Sequence, residues 1–371
     1  MPKSAVSSIP LTEFSLWQKA KEKRIPLSFD LEITARCNNN CRHCYINLPA
    51  GDKSAKKREL TNSEIKTIAK DAVSLCALWC LVTGGEPLLR EDFCDIYLTL
   101  QKAGLLVSVF TNATLISEKH IEFFKKHPPR DIEVSVYGVT KATYEKVTRR
   151  HGSFNDFMRG INLLLQSGVK VRLKAMALRS NLHELPKIAR FCRERTKDFY
   201  RFDPFLHLRY DRNTARNAEI RSERLLPHEI VALERKDPER FKILKKNCDK
   251  LIVPDFMHTI CNHLFHCGAG NGTFAVSYDG LFRLCSSLYS PECVYDLRKG
   301  NLIHAWKKFA PEVRDMRSNK RDFLKNCRVC PLINLCMWCP GRAHLETGAL
   351  DKRVDYFCEI AHCRAQALEK G

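Results

Sequence analysis

Residues 27–46 read LSFDLEITARCNNNCRHCYI, in which a short apolar run leads directly into three cysteines. The cysteines are Cys37, Cys41 and Cys44, so their spacing is C-x3-C-x2-C. A disulfide uses two cysteines, and a structural zinc or a fully ligated iron–sulfur cluster usually uses four. Three thiolates on a cubane cluster hold three irons and leave the fourth free to bind a small chelating molecule. The stretch therefore predicts a metal site with one open coordination position.

The run before the cysteines is the first of six β-rich runs, most of which are followed by a loop and a helical pattern. Several runs are nearly continuous in apolar and β-branched residues, as expected of strands covered on both faces. Residues 61–64 form a capping box, and Ser117 opens a second helical segment. Strand–helix alternation predicts an α/β fold with a parallel sheet, and six units predict a partial (β/α)6 TIM-like barrel. The six runs are LSFDLEITA, LWCLVTG, LLVSVFTNA, DIEVSVYG, KVRLKAMAL and YRFDPFLHL.

The composition of the chain indicates the cellular compartment in which these cysteines act. The chain has 371 residues and 18 cysteines. No run of about 18 apolar residues is present, and the first residues carry no apolar signal-like segment. These features predict a cytoplasmic protein, in which clustered cysteines indicate metal binding or catalysis rather than disulfides. A net charge of +20 could attract an acidic peptide, a nucleic acid or an anionic cofactor.

The triple-cysteine order followed by an aromatic residue, Tyr45, resembles the radical S-adenosylmethionine (SAM) superfamily. The resemblance implies that the amino and carboxylate groups of SAM chelate the free iron. It also implies reductive cleavage of SAM to a 5′-deoxyadenosyl radical, which abstracts hydrogen from the substrate. The alternative is a zinc site completed by His43, although a histidine directly before Cys44 is poorly spaced for that role.

A second motif supports the resemblance. Residues 83–87 read TGGEP and follow the second β-rich run, so they fall on the same barrel face as the cysteines. Two glycines let a backbone approach a ligand closely. In the family this segment contacts the SAM amino group, which implies cofactor-binding roles for Gly84, Gly85, Glu86 and Pro87.

Weaker correspondences concern the rest of the cofactor. Asn112 ends the third run and Ser135 lies in the fourth, where family members place polar groups near the SAM ribose. The family often has a carboxylate two residues after that serine, whereas this chain has Tyr137. The resemblance also implies an arginine on the SAM carboxylate, for which Arg149 and Arg150 are both candidates.

The second half of the chain adds a longer cysteine pattern, and ten of the 18 cysteines lie between Cys261 and Cys363. The pattern resembles the SPASM extension of radical SAM enzymes, which holds two auxiliary [4Fe–4S] clusters. One cluster would take Cys261, Cys267, Cys285 and Cys339. The other would take Cys327, Cys330, Cys336 and Cys358. The chain has two residues before Cys339 where the family usually has three.

Alternatives to this ligand set remain open. Cys363 could replace Cys358, or the four cysteines at positions 327, 330, 336 and 339 could hold one zinc as a ribbon. We interpret the nearby His258, His263 and His266 as surface or core histidines. The remaining cysteines fit no cluster spacing, and we expect most to be small buried hydrophobes: Cys76, Cys80, Cys94, Cys192, Cys248 and Cys293.

These patterns divide the chain into four parts. Residues 1–27 form an N-terminal extension, 28–209 the radical SAM core barrel, 210–260 a helical bridging region and 261–371 a SPASM-type auxiliary-cluster domain. Only about 27 residues precede the barrel, so we expect recognition of any leader peptide to come from a separate partner or from the basic surface.

Enzymes with this two-part layout mostly modify peptides or proteins, by crosslinking, epimerisation or formylglycine formation. Sulfatase-maturating members place an aspartate base directly after the cysteine matching Cys285, whereas this chain has Ser286, which has no comparable basicity. We therefore predict a radical SAM oxidoreductase acting on a peptide or protein, with a flavodoxin- or ferredoxin-like electron donor. The alternatives are a small-molecule radical SAM oxidoreductase, a sulfatase-maturating enzyme, and a zinc-bearing nucleic-acid-binding protein.

Overall fold

The computed structural model describes residues 15–197, 200–246 and 261–369. The described residues form eleven strands, numbered here in chain order. They are β1 Ser28–Thr34, β2 Arg36–Cys37, β3 Leu48–Pro49, β4 Trp79–Gly84, β5 Leu106–Thr111, β6 Asp131–Val136, β7 Val171–Met176, β8 Arg201–Asp203, β9 Thr273–Val276, β10 Leu281–Arg283 and β11 Val294–Asp296.

The α-helices are numbered in the same way. They are α1 Ser15–Glu22, α2 Lys53–Arg58, α3 Asn62–Ser74, α4 Phe93–Lys102, α5 Glu118–Lys126, α6 Lys141–Thr148, α7 Ser153–Gln166, α8 Leu185–Arg195, α9 Thr214–Glu223, α10 Pro227–Lys236, α11 Pro238–Lys246, α12 Leu302–His304, α13 Ala310–Arg314, α14 Ile333–Cys336, α15 Pro340–Thr347 and α16 Asp355–Glu369.

The six β-rich runs are strands β1, β4, β5, β6, β7 and β8, and they lie side by side in chain order. Every pair among them is parallel. Helices connect most of the strands, and the predicted partial (β/α)6 barrel is confirmed. The capping box is also present: Thr61 Oγ1 accepts the Glu64 N–H at 3.2 Å, and the Glu64 carboxylate accepts the Thr61 N–H at 2.7 Å.

The cysteine-rich second half continues the barrel sheet instead of forming a separate one. Strand β9 pairs in parallel with β1, in a register that places Phe29 opposite Phe274. The two rings stack with their centroids 5.0 Å apart. Strands β10 and β11 then extend the sheet in antiparallel fashion. One nine-stranded sheet therefore runs in the order β11-β10-β9-β1-β4-β5-β6-β7-β8.

Helices α9, α10 and α11 occupy the predicted bridging region, of which residues 247–260 lie outside the described residues. Helix α10 contacts the C-terminal helix α16 through a buried ion pair, in which Arg364 Nη2 lies 2.6 Å from Glu234 Oε1. No described helix is long and apolar enough to cross a membrane.

The cysteines that fit no cluster spacing differ in their burial. Cys80, Cys192 and Cys293 are buried as expected, and Cys94 is partly buried. The expectation is wrong for Cys76, which is exposed. Cys76 follows α3 with a φ of 67°, so it belongs to the turn that ends the helix and not to the helix's buried face. Cys248 lies outside the described residues.

Candidate active site

The loop with the three cysteines leaves β2 at the carboxyl end of the barrel strands and is fastened from several sides. The buried Arg36 pairs with Glu59, with Nε to Oε1 at 2.7 Å. The backbone N–H of Asn40 donates to the Thr148 carbonyl, 2.9 Å away at the end of α6. Arg216 of α9 donates to the Cys41 carbonyl at 2.8 Å. Three elements therefore fix the loop before any cofactor binds.

The glycines of the TGGEP segment allow β4 to pack directly on the backbone that leads into this loop. The Gly85 N–H donates to the Thr34 carbonyl at 2.7 Å. A Cβ on Gly84 would lie 2.1 Å from that carbonyl oxygen, and one on Gly85 would lie 2.3 Å from the Arg36 oxygen. Gly84 also has a φ of 140°, which side chains disfavour. The close approach that requires glycine here is thus one between two segments of the chain.

Glu86 is fully buried beside these glycines. Its carboxylate accepts the Thr111 hydroxyl at 2.7 Å, the Asn112 N–H at 2.8 Å and the Leu88 N–H at 3.1 Å. Burial raises the pKa of Glu86 to about 7, against the opposing effect of these hydrogen bonds. The side chain therefore holds the end of β5 in place next to the cysteine loop.

A cavity of about 350 Å³ lies at this end of the barrel. It brings together the cysteine loop, the ends of several barrel strands and the segment after β10. Its walls include Cys37, Cys41, His43, Cys44, Tyr45, Gly84, Gly85, Asn112, Ser135, Tyr137, Lys174, Phe205, His207, Ser286, Ser287 and Tyr289. Most of the predicted cofactor residues thus meet in one place.

Glu86, Pro87, Arg149 and Arg150 are not part of the cavity wall. Arg149 turns to α9, where its Nη2 lies 2.6 Å from Glu219 Oε1. Arg150 instead reaches the cysteine loop, donating from Nε to Asn39 Oδ1 at 2.8 Å. Of the two candidate arginines, Arg150 is the one in contact with the loop.

Several buried polar atoms of the cavity residues have no hydrogen-bond partner within the described chain. They are Asn39 Nδ2, His43 Nδ1 and His207 Nδ1. Burial, followed by the charge of Arg216, lowers the pKa of His43 to about 4. Burial, followed by the charge of Arg342, lowers the pKa of His207 to about 3. Both rings are therefore neutral near pH 7 and suited to hydrogen bonding with a polar ligand.

Charged side chains lie close to the cavity. Lys174 Nζ contacts Glu133 Oε1 at 2.6 Å and lies 3.4 Å from the centroid of the Phe110 ring. Asp30 of β1 lies near Ser286: burial raises the pKa of Asp30, while the Arg283 charge and the Ser286 side chain oppose the shift. A carboxylate therefore does lie beside Ser286, although it comes from the other end of the chain.

Two of the loop thiols, Cys37 and Cys41, have raised pKa values and must lose a proton before they can bind metal. Burial, with the neighbouring Glu86 carboxylate, raises the pKa of Cys37 to about 12. Burial also raises the pKa of Cys41 well above its usual value. Because thiolates and not thiols are metal ligands, binding of iron here displaces protons.

A second cavity, of about 120 Å³, lies in the C-terminal part. Its wall includes Cys327, Cys330, Cys336 and Cys358, the predicted ligands of one auxiliary cluster, and also Cys339. The four predicted ligands lie close together, since negative charge on one of these thiols raises the pKa of its neighbours. Cys363 is not part of this wall.

The other predicted auxiliary set is only partly assembled. Cys285 lies within electrostatic reach of Cys339 and Cys267. Cys261 contacts a histidine, with its Sγ 2.6 Å from His263 Nδ1. The opposite nitrogen of that ring lies 2.8 Å from Asp315 Oδ1. Cys267 and Cys339 are thus each near Cys285, whereas Cys261 lies with His263.

The ligands of a single zinc all lie about 2.3 Å or less from one point. Within residues 15–197, 200–246 and 261–369, no three Cys, His, Asp or Glu side chains converge in this way. The ligands of a cubane are spaced more widely because each binds a different iron.

The family model described as the radical SAM superfamily matches residues 31–192. This range contains the three-cysteine loop, the glycine segment and strands β4 to β7. Residues 31–192 are a radical SAM domain. The protein is accordingly an enzyme with a radical SAM domain, and SAM and a [4Fe–4S] cluster are its cofactors.

Relatives of this radical SAM enzyme differ in their chemistry. An AdoMet-dependent heme synthase of Methanosarcina barkeri is 25% identical over 90% of this chain and 94% of its own. The subtilosin biosynthesis protein AlbA of Bacillus subtilis is 28% identical over 47% of this chain and 38% of its own. Among solved structures, Streptococcus suis SuiB bound to its precursor peptide SuiA has a TM-score of 0.65 at 15% identity, covering 96% of this chain and 83% of SuiB. That likeness extends the shared fold over both halves of the chain.

The residues of this radical SAM enzyme fit its cofactors. Three thiols line one cavity with unpartnered nitrogens of Asn39, His43 and His207, which matches an open cluster and a polar chelating ligand. His207 carries no motif signal. Its one clue in the sequence is that it follows the last barrel strand, where barrel chemistry is found. Lys174 and Tyr289 were likewise not predicted as wall residues.

Proposed function

We propose that this radical SAM enzyme modifies a peptide or protein by hydrogen abstraction, as in crosslinking or epimerisation of a precursor peptide. The observation that carries the proposal is the cavity itself. Its volume of about 350 Å³ is near the lower end of the range of about 300–1,000 Å³ that holds one drug-sized ligand. SAM occupies much of such a space. The remainder suits one side chain of a larger substrate that stays outside.

The comparisons support the same substrate class. SuiB, whose fold resembles this chain over 96% of its length, has been solved with its precursor peptide. AlbA is a bacteriocin biosynthesis protein. The net charge of +20 favours an acidic peptide or an acidic leader segment.

The bound cofactors supply the radical chemistry, and the chain holds and orients them. We assign the cluster to Cys37, Cys41 and Cys44. Tyr45 and the Gly84–Pro87 segment shape the SAM pocket, with Glu86 acting through its hydrogen bonds to the end of β5.

We assign Asn112 and Ser135 to the SAM ribose. Asn112 is well supported, because its Nδ2 also lies 3.7 Å from Cys37 Sγ. For the SAM carboxylate, Arg149 and Arg150 both remain candidates. The contact between Arg150 and Asn39 of the loop favours Arg150.

We assign the two auxiliary clusters to the ligand sets predicted from the sequence. The set of Cys327, Cys330, Cys336 and Cys358 is supported by a shared cavity wall. In the other set, Cys267, Cys285 and Cys339 are supported by their proximity. Cys261 requires movement away from His263 to join them. A flavodoxin- or ferredoxin-like protein is the proposed electron donor, and a separate protein the proposed leader-binding partner.

A small-molecule reaction is the second candidate, and one observation favours it. The heme synthase of M. barkeri matches this chain over nearly its whole length at 25% identity. A tetrapyrrole is much larger than one amino-acid side chain. This candidate therefore requires the cavity to widen.

The test is co-expression of the protein with short peptides encoded beside its gene, followed by mass spectrometry of the peptides. The matched control is the variant with Cys37, Cys41 and Cys44 changed to Ala. We expect a mass change with the wild type and none with the control. Anaerobic reconstitution should give about twelve irons per chain, the content of three [4Fe–4S] clusters.

Stimulation of SAM cleavage separates the two candidates. The peptide proposal predicts more 5′-deoxyadenosine when the peptide is added and no increase with an iron porphyrin. An increase with the porphyrin alone would transfer the assignment to the second candidate.

A further inference from the structure

Arg342 of α15 lies between the two cavities. Its side chain is part of the wall of the smaller, cysteine-lined cavity. Its guanidinium carbon also lies 4.8 Å from the Phe357 ring centroid and 5.2 Å from that of Phe205. Phe205 in turn lines the larger cavity. Two aromatic rings therefore hold this cation at one side of the cysteine set.

The smaller cavity has buried donors without acceptors. Arg342 Nε and Nη1 are buried and have no hydrogen-bond partner. Trp338 Nε1, on the same cavity wall, is also buried without a partner. An indole and a guanidinium can only donate. Leaving a buried charged donor unpaired costs more than leaving a neutral one unpaired, so we expect an occupant of this cavity to accept hydrogen bonds.

The surrounding thiols identify the chemistry of that occupant. Cys327, Cys330, Cys336 and Cys358 line the same cavity. A [4Fe–4S] cluster on four thiolates is an anion whose sulfur atoms accept hydrogen bonds, and both its charge and these bonds set its reduction potential. Arg342 lies on the same cavity wall as these four thiols.

We propose that Arg342 and Trp338 donate hydrogen bonds to the auxiliary cluster held by these four cysteines, and that the Arg342 charge raises its reduction potential. The inference rests on the ligand assignment under the proposed function and adds two residues that tune the site. Reduction adds one electron, and hence one negative charge, to the cluster. In the cell that electron comes from a substrate-derived radical or from a ferredoxin-like donor, and the guanidinium stabilises the added charge.

Arg353 provides a matched control on the same cavity wall. Its side chain is 50% exposed, and its Nε lies 2.8 Å from Asp355 Oδ1. Solvent and this carboxylate screen its charge. Replacement of Arg353 removes a cation near the cluster without removing a buried donor.

The experiment is a redox titration of the anaerobically reconstituted holoenzyme with dithionite, followed by electron paramagnetic resonance. The signal of the SAM-binding cluster is identified by its change when SAM is added. In Arg342→Met we expect the ratio of reduced to oxidised auxiliary cluster at a fixed potential to fall about tenfold, equivalent to about 59 mV for one electron. Arg342→Lys, Trp338→Phe and Arg353→Met should each give a smaller fall than Arg342→Met. The SAM-binding cluster should keep its midpoint.

Unchanged midpoints in Arg342→Met at full iron content would overturn the inference. If Arg342→Met loses iron, the midpoints of Arg342→Lys and Trp338→Phe test the inference instead. The first variant keeps the positive charge, and the second keeps an aromatic side chain of similar size. Wild-type midpoints in both, at full iron content, would overturn it equally. A wild-type protein that binds about four irons too few would instead refute the auxiliary-cluster assignment itself.

Discussion

Arg283 of β10 donates to Glu32 of β1, with Nη2 2.8 Å from Oε2, and the two side chains are 0% and 2% exposed. The pair joins the cysteine-rich half of the chain to the first barrel strand. Arg283 also donates to the Ser286 carbonyl at 3.1 Å and lies 3.8 Å from the Tyr289 ring centroid. It thereby places the segment that forms one wall of the active-site cavity.

Removal of one partner of this pair should be strongly destabilising. We expect Glu32→Gln to lower the free energy of unfolding by about 3–5 kcal/mol, because it leaves the Arg283 charge buried without compensation. The double variant Glu32→Leu with Arg283→Met should recover much of this loss. Anaerobic urea denaturation measures both. Equal losses in the single and double variants would contradict the explanation.

The raised pKa of Glu86 predicts a pH-dependent stability. The carboxyl titrates at about 7 in the folded protein against an ordinary value of 4.5. The folded state therefore favours the protonated form, and this stabilisation is present below pH 4.5 and is lost as the pH rises through 7. The difference amounts to about 3 kcal/mol.

The variant Glu86→Gln cannot ionise and should lack this slope. Between pH 5.5 and 8, wild type should lose stability relative to the variant when both are unfolded in urea under anaerobic conditions. A constant difference between the two proteins over this range would show that Glu86 is already ionised in the fold.

Arg149 and Arg150 form a natural pair for testing the SAM carboxylate contact. Arg150→Met should weaken SAM binding about tenfold, the loss of one charge-assisted hydrogen bond. Arg149→Met should leave binding near the wild-type value, because its partner is Glu219. Equilibrium binding of SAM to the reconstituted enzyme measures both. The reverse ranking would assign the contact to Arg149.

The last auxiliary ligand can be tested with two cysteines of the same helix, α16. Cys358→Ser should lower the iron content by about four per chain, since the cluster loses one of its thiolates. Cys363→Ser should retain the wild-type content, because Cys363 is absent from the cavity wall. Iron analysis after reconstitution is the measurement. Loss of iron only in Cys363→Ser would exchange the two roles.

Asp30 predicts a separation between SAM cleavage and substrate modification. If its carboxylate accepts a proton through Ser286, Asp30→Asn and Ser286→Ala should each lower peptide modification about 100-fold. Cleavage of SAM without peptide should stay near wild type. Because burial raises the pKa of Asp30, modification should also rise with pH as this group ionises. Full modification by Asp30→Asn would remove it from the reaction.

Local signals were enough to predict much of this molecule. The six barrel strands follow from apolar runs, and the helix start at Thr61 follows from four consecutive residues. The cysteine spacings alone predict two metal-binding regions, one in the three-cysteine loop and one in the C-terminal part of the chain. Each of these features depends on a short segment of sequence, in which backbone preferences and the periodicity of the side chains determine the local structure.

The misses depend on contacts between distant segments. The glycine segment predicts a backbone surface for a ligand, and Gly84 and Gly85 do line the cavity, but their packing against the backbone of residues 34–36 could not be predicted. The partners of Glu32 and Asp30 lie about 250 residues further along the chain. The position of Arg342 depends on two rings from different elements. No local pattern encodes such pairings.

The parallel pairing of β1 with β9 has a consequence for synthesis on the ribosome. Strand β1 is made first, and its neighbour β9 is made roughly 240 residues later, at residues 273–276. At about 5–20 residues per second, the edge of β1 waits about 12–50 s for its partner. During that interval the nascent barrel presents an unpaired strand edge, which favours association between chains. A fragment ending after the barrel would keep that edge unpaired permanently.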